Sequence, residues 1–183
     1  MRSLQLPQHM TRLKPDVKEY RSFLLNAGVI AVVFFGVLAF QSRNMLATDG
    51  QPAPELRGTT LTGEPYNLQD ARARPALVYF FAPWCRICAA SAGNLNRLRR
   101  WRDTDDIEIV AVALDWGTVD EVRDYVQRHD LNVNVVLGDA DVARQWQIQG
   151  FPSYYVLNSK HRVVRRDIGY SSQLGLWFRA WII

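Results

Sequence analysis

The chain has 183 residues, 48% of them hydrophobic and 22% charged, the balance of a globular protein rather than a disordered one. A domain of that length builds a core without disulfide staples, and the chain holds only two cysteines. The net charge of +4 is concentrated at one end: residues 1–22 carry five basic and two acidic side chains, residues 41–183 carry 17 and 16. A nearly neutral main domain argues against nucleic acid as its partner.

Residues 1–22 are polar, contain Pro7 and Pro15, and read as a loosely structured tail. Phe23 to Phe40 follows, 18 residues in which Asn26 is the one strongly polar member. As a helix this stretch is about 27 Å long, close to the roughly 30 Å of a bilayer's hydrocarbon core. With the positive residues ahead of it, the positive-inside rule predicts a single-pass inner-membrane anchor. The N-terminus then stays in the cytoplasm and the rest lies in the periplasm or outside. A cleaved signal peptide competes with this reading, but neither Val37-Leu38-Ala39 nor Met45-Leu46-Ala47 makes a clean cleavage site. Residues 41–54, with Gly50, Pro52 and Pro54, read as a linker holding a domain of residues 55–183 off the membrane.

Within that domain, Leu56 to Leu68 reads as two short strands around a turn at Gly63. Ala76 to Ala82 is an apolar run of strand length. Behind it Cys88, Ala92, Leu95, Leu98 and Trp101 fall three or four apart, on one helix face. Ile107 to Leu114 is almost unbroken in its apolarity, which suits a strand covered on both faces of a parallel sheet. Thr118 and Glu121 form a capping box that opens a helix running to about His129, with Val122 and Val126 inward. Val133–Leu137 is a short apolar run, and Ala140–Trp146 has helical composition. Ser153–Leu157 and Val163–Ile168 read as a strand pair turning at Asn158-Ser159, and Ser171–Ile183 as a closing helix carrying Leu174, Trp177, Phe178 and Trp181. This alternation predicts an α/β fold, a mixed central sheet flanked by helices.

Both cysteines lie in Trp84-Cys85-Arg86-Ile87-Cys88, where the buried strand hands over to the amphipathic helix. A thiol at a helix start meets the positive end of the dipole, which favours the thiolate. Cys85 is expected exposed and nucleophilic; Cys88, one turn in, is expected more buried and resolves the mixed disulfide. Arg86 adds a positive charge that lowers the Cys85 pKa. Zinc normally takes four ligands, and His9, His129 and His161 are far from the motif in sequence. Copper favours soft ligands, and Met1, Met10 and Met45 are expected outside the folded domain. A structural disulfide closing so short a loop constrains the unfolded chain little. An exported domain with no bystander thiol also suits an oxidising compartment. Gly150-Phe151-Pro152-Ser153 opens a later strand. Proline there is by itself an edge device. Set beside the dithiol, a cis Pro152 keeps an amide hydrogen off the thiol surface, and Phe151 offers backbone groups to an extended substrate.

Trp84-Cys85-Arg86-Ile87-Cys88 together with Gly150-Phe151-Pro152-Ser153 resembles the thioredoxin-fold family. Pro52 and Pro54, the Gly63-Glu64-Pro65 hairpin and the N-terminal anchor are similar to its membrane-tethered, extracytoplasmic TlpA/ResA/DsbE-type branch, which some bacterial copper-sensitivity suppressors share. The resemblance covers residues 52–183. It implies a thioredoxin-like domain acting as a protein thiol–disulfide oxidoreductase without a cofactor, with Cys85 as nucleophile, Cys88 resolving, and Trp84, Phe151 and cis-Pro152 facing substrate. Its partners would be extracytoplasmic proteins with disulfides or thiols, such as apocytochrome c or a copper protein, and a membrane electron donor.

The sequence departs from that pattern in four places. Ile87 replaces the usual proline between the cysteines. Tyr79 and Ser91 stand where relatives keep carboxylates, and Phe151 is bulkier than the usual residue before the proline. The resemblance favours a reductant, whereas a thiolate stabilised by Arg86 pushes towards oxidising power. A thiol oxidant of the same fold and a non-catalytic copper-handling module stay open.

Overall fold

The computed structural model describes residues 17–42, 44–71 and 73–181. The described residues divide between two compact units, one ending at Leu38 and the other beginning at Ala39. Helix α1 runs Val17–Ser42, most of it in the first unit, so the last residues of the expected tail are helical and the rest of that tail lies outside the described residues. Phe23, Leu24, Val29, Ile30, Val33 and Phe34 are all exposed along α1. Among the described residues no helix is long and apolar enough to cross a membrane. The side chains of Phe35 and residues 38–42 fall outside that description, and several of them belong to the apolar run that predicts the anchor.

The second unit holds a seven-stranded sheet in the order β2-β1-β5-β4-β3-β6-β7. Strands β1 (Arg57–Thr60) and β2 (Pro65–Asn67) form the expected antiparallel hairpin. At its tip Gly63 takes φ +90°, a conformation open to glycine at little cost. Strands β3 (Ala76–Phe81), β4 (Glu108–Ala113) and β5 (Asn134–Leu137) run parallel. Antiparallel β6 (Ser153–Leu157) pairs with β3, and β7 (Val163–Ile168) pairs with β6. The turn between the last two is held by Asn158, whose Oδ1 accepts from the Lys160 and Arg162 amides at 3.0 Å each.

Because side chains alternate along a strand, β3 feeds two cores. Leu77, Tyr79 and Phe81 join the first, with Cys88, Ala92, Leu95 and Leu98 of α2 (Arg86–Trp101). Val122 and Tyr125 of α3 (Val119–Arg128) complete that face. Ala76, Val78 and Phe80 join the second, with Leu56, Leu68 and Trp146. Each large side chain fully buried there contributes about 1.5–3 kcal/mol. Thr118 caps α3 as its sequence predicts, accepting the Glu121 amide at 3.3 Å. Helix α4 spans Ala140–Gln145.

Three expectations are corrected, on the linker, Met45 and Trp101. Residues 44–54 are packed on the domain rather than a free linker: Met45 is buried in the second core. Arg166 Nη1 donates to the Met45 and Leu46 carbonyls at 2.7 and 2.6 Å, and the Val163 amide donates to Gln51 O at 3.3 Å. Met45 therefore lies inside the folded domain. Trp101, the last residue of α2, is exposed, so the buried face of that helix ends at Leu98. In α5 (Gln173–Trp181) the buried residues are Leu176 and Ala180, whereas Leu174, Trp177, Phe178 and Trp181 face outward. Arg102 Nη1 donates to the Ala180 carbonyl at 3.0 Å and helps fix that rotation.

Candidate active site

The carboxyl end of β3 passes through Ala82-Pro83-Trp84 to Cys85, the N-cap of α2. Cys85 is extended (φ −78°, ψ 107°), so its side chain folds back over the first turn and its Sγ accepts the Cys88 amide at 3.1 Å. Sulfur thus takes the place that an N-cap oxygen usually occupies. Cys85 and Cys88 form a disulfide with a Cα–Cα distance of 5.2 Å, inside the ordinary range. Contrary to expectation Cys85 is only 7% exposed, because capping draws its sulfur inward; Cys88 is fully buried.

Two buried asparagines, which helical periodicity alone does not single out, fix α2 and hence the dithiol. Asn94 Nδ2 donates to the Ser171 carbonyl at 2.8 Å, tying α2 to the loop before α5. Asn96 Nδ2 donates to Asp130 O at 2.6 Å, and its Oδ1 accepts from the Asn132 amide at 2.9 Å.

Trp84 is 63% exposed beside the disulfide. Its indole N–H lies 3.1 Å from both the Asp115 carbonyl oxygen and Asp115 Oδ2. Its ring meets Phe151 edge-on, with centroids 5.9 Å apart. The Phe151–Pro152 peptide bond is cis. The Pro152 carbonyl is occupied by the Gly169 amide at 2.8 Å, whereas the Phe151 amide and carbonyl have no backbone partner among the described residues. Trp84, Cys85, Phe151 and Pro152, far apart in sequence, are thus gathered at one end of the sheet. Arg86 is exposed at the first position of α2. Asp115 is the site residue that sequence reasoning missed. The available signal was its place at the carboxyl end of β4, where open α/β sheets collect ligands.

Beneath the disulfide, the fully buried Tyr79 donates its hydroxyl to the Cys88 carbonyl at 3.1 Å. Burial, with Tyr125 and Tyr154 nearby, pushes its pKa far above that of a free phenol, so it is a neutral donor at any working pH. Ser91 turns its hydroxyl to the Ile87 carbonyl at 3.0 Å. Glu108, the buried carboxylate among the described residues, stands at the opposite end of the sheet, at the start of β4. Cys88 therefore has neutral hydroxyls around it and no buried acid at its end of the sheet. Tyr79→Phe keeps the ring stacked on Phe81 and removes only the hydroxyl. The expected result is a stability loss of about 1 kcal/mol in urea unfolding, with the pH profile of disulfide exchange unchanged. An altered profile would show that the hydroxyl carries a proton.

Among the described residues no group of three or more His, Cys, Asp and Glu is arranged to hold a metal. What the pair supports is thiol–disulfide exchange: a capping sulfur at a helix start, and a second sulfur one turn behind. Fold and dithiol together define a thiol–disulfide oxidoreductase of the TlpA/ResA/DsbE-like class. The chain belongs to the AhpC/TSA family, whose pattern it matches over residues 50–166. It is similar to the thioredoxin-like protein YneN of Bacillus subtilis, 25% identical over 73% of this chain and 83% of that one. It is also similar to the thiol-disulfide oxidoreductase ResA of Bacillus cereus, 23% identical over 80% and 88%. Its fold resembles that of a thiol:disulfide interchange protein from Chlorobium tepidum, with a TM-score of 0.67 at 19% identity over 75% of this chain and 98% of the other.

Proposed function

We propose that this oxidoreductase is anchored in the inner membrane by residues 23–40, with residues 1–22 in the cytoplasm, and reduces disulfides of specific extracytoplasmic proteins. The observation that carries the redox reading is Cys85 capping α2, with its sulfur on the Cys88 amide and Cys88 buried behind it. Cys85 thiolate attacks a substrate disulfide, forming a mixed disulfide and releasing the first substrate thiolate. Cys88, deprotonated, then attacks the Cys85 sulfur, releasing the second thiolate and leaving the Cys85–Cys88 disulfide. A membrane electron donor returns two electrons and two protons. Trp84, Phe151 and Pro152 form the surface against which substrate lies, and the Arg86 charge favours the Cys85 thiolate. What supports the anchor is the apolar run of residues 23–40 and the positive residues ahead of it.

The test of direction is the reduction potential of the Cys85–Cys88 pair. A value near about −270 mV is expected of a reductant, and one near about −120 mV makes the protein a thiol oxidant instead. Stoichiometric metal on the purified protein, with no exchange activity, would favour a copper-handling module. The full chain is expected in the membrane fraction after carbonate washing, and its release there would remove the anchor.

A further inference from the structure

The carboxyl ends of β4 and β5 carry a second concavity that the dithiol steps leave unused. It is a groove of about 450 Å³, walled by Leu114, Trp116, Ala143 and Phe151, with the exposed carboxylates of Asp115 and Asp139 in its lining and no basic residue. Its shape is built in. Trp116 Nε1 donates to the Gly138 carbonyl at 2.9 Å, locking the loop after β4 onto the end of β5. A Cβ on Gly138 would lie 2.7 Å from Leu114 Cδ2 and 2.8 Å from Val112 Cγ1, so a larger residue there would push the buried Leu114 and Val112 side chains aside. Asp139 is held by the Val142 and Asp141 amides, both 2.9 Å from its Oδ1. Asp115 sits at φ +50°, a left-handed conformation that aspartate tolerates better than most residues.

Two residues belong to groove and site alike. Phe151 walls the groove and meets Trp84 edge-on, and Asp115 lines it while accepting the Trp84 indole N–H. The groove is therefore continuous with the disulfide surface. The Phe151 amide and carbonyl, without backbone partners among the described residues, lie where an extended chain can pair with them.

We propose that this groove reads the sequence beside the substrate's reactive cysteine, taking an extended segment with a bulky apolar residue next to the cysteine and a basic residue beyond it. The apolar walls favour the first, and the Asp115 and Asp139 carboxylates, with no basic residue in the lining, favour the second. This rests on the oxidoreductase reading of the dithiol.

The probe is a set of synthetic peptides, each bearing one cysteine as a mixed disulfide with thionitrobenzoate and flanked by Leu-Lys, Leu-Glu or Ser-Lys. Reduced Cys85 attacks the peptide sulfur and expels thionitrobenzoate, which is read by absorbance. Cys88 then attacks the Cys85 sulfur and frees the peptide thiolate. Rates for the full chain in detergent are expressed relative to the same protein's rate with Ellman's reagent. The Leu-Lys peptide is expected to react about tenfold faster than Leu-Glu at low salt and about tenfold faster than Ser-Lys. Asp115→Asn with Asp139→Asn keeps the Trp84 acceptor and the helix cap and is expected to erase the Lys-over-Glu preference while retaining the Leu-over-Ser one. Equal rates for all three peptides, or a Lys preference that survives the double substitution, overturn the proposal alone. Failure to react even with Ellman's reagent overturns it together with the oxidoreductase reading.

Discussion

Cys85→Ser is expected to lower disulfide turnover by on the order of 10³-fold or more, to the uncatalysed background, because it removes the sulfur that must attack. Cys88→Ser is expected to behave differently. Cys85 still attacks, but nothing resolves the product, so a mixed disulfide with substrate accumulates and is seen as a mass increase that thiol reductants reverse. The asymmetry follows from place: Cys85 caps α2, where the helix's positive end favours thiolate, while Cys88 is wholly enclosed. Neither substitution should move the thermal midpoint by more than a few degrees, since a bridge between residues three apart closes a very short loop. Insulin reduction and mass spectrometry under non-reducing conditions read both outcomes. Normal turnover by Cys85→Ser would remove the dithiol from the mechanism.

Much of this site was legible in the sequence for physical reasons. Apolar runs such as Ala76–Ala82 carry a strand signal, the three-and-four spacing behind Cys88 carries a helix signal, and their junction places the sulfurs. Thr118 and Asn158 act locally, so their caps and turns could be read one at a time. What stayed hidden depends on distant pairing. Nothing in the neighbourhood of Asp115 announces that Trp84 will donate to it from 31 residues away. Residues 44–54 look like a spacer because their contacts are made by Arg166 and Val163, at the far end of the chain. The outward turn of Trp177 and Trp181 was hidden for a related reason. An aromatic-rich helix has more than one apolar face, and Leu98 and Arg102 of the neighbouring helix region help select which is covered.

Trp146→Ala is expected to be the most damaging single change to the fold that leaves the chemistry in place. Trp146 ends α4 fully buried in the second core. Its ring centroid lies 5.3 Å from that of Phe80 and 5.4 Å from that of Tyr155. The 2.7 Å hydrogen bond that Tyr155 makes there goes to the Trp146 carbonyl, so alanine retains it. The indole N–H has no hydrogen-bond partner among the described residues, and the loss is therefore one of packing. Truncating a large aromatic in such a place costs about 3–5 kcal/mol, which for a domain of this size lowers the thermal midpoint by roughly 10–20 °C. The disulfide belongs to the other core: Phe80 points to Trp146, while its neighbours Tyr79 and Phe81 point to the α2 side. Well below the new midpoint, the rate at which Cys85 reacts with Ellman's reagent should therefore stay within about twofold of the parent. A midpoint that falls as expected with an unchanged rate separates the two faces of the sheet into support and chemistry. A rate that falls along with the midpoint, in protein still folded by circular dichroism, would mean that the sheet transmits the loss from one face to the other.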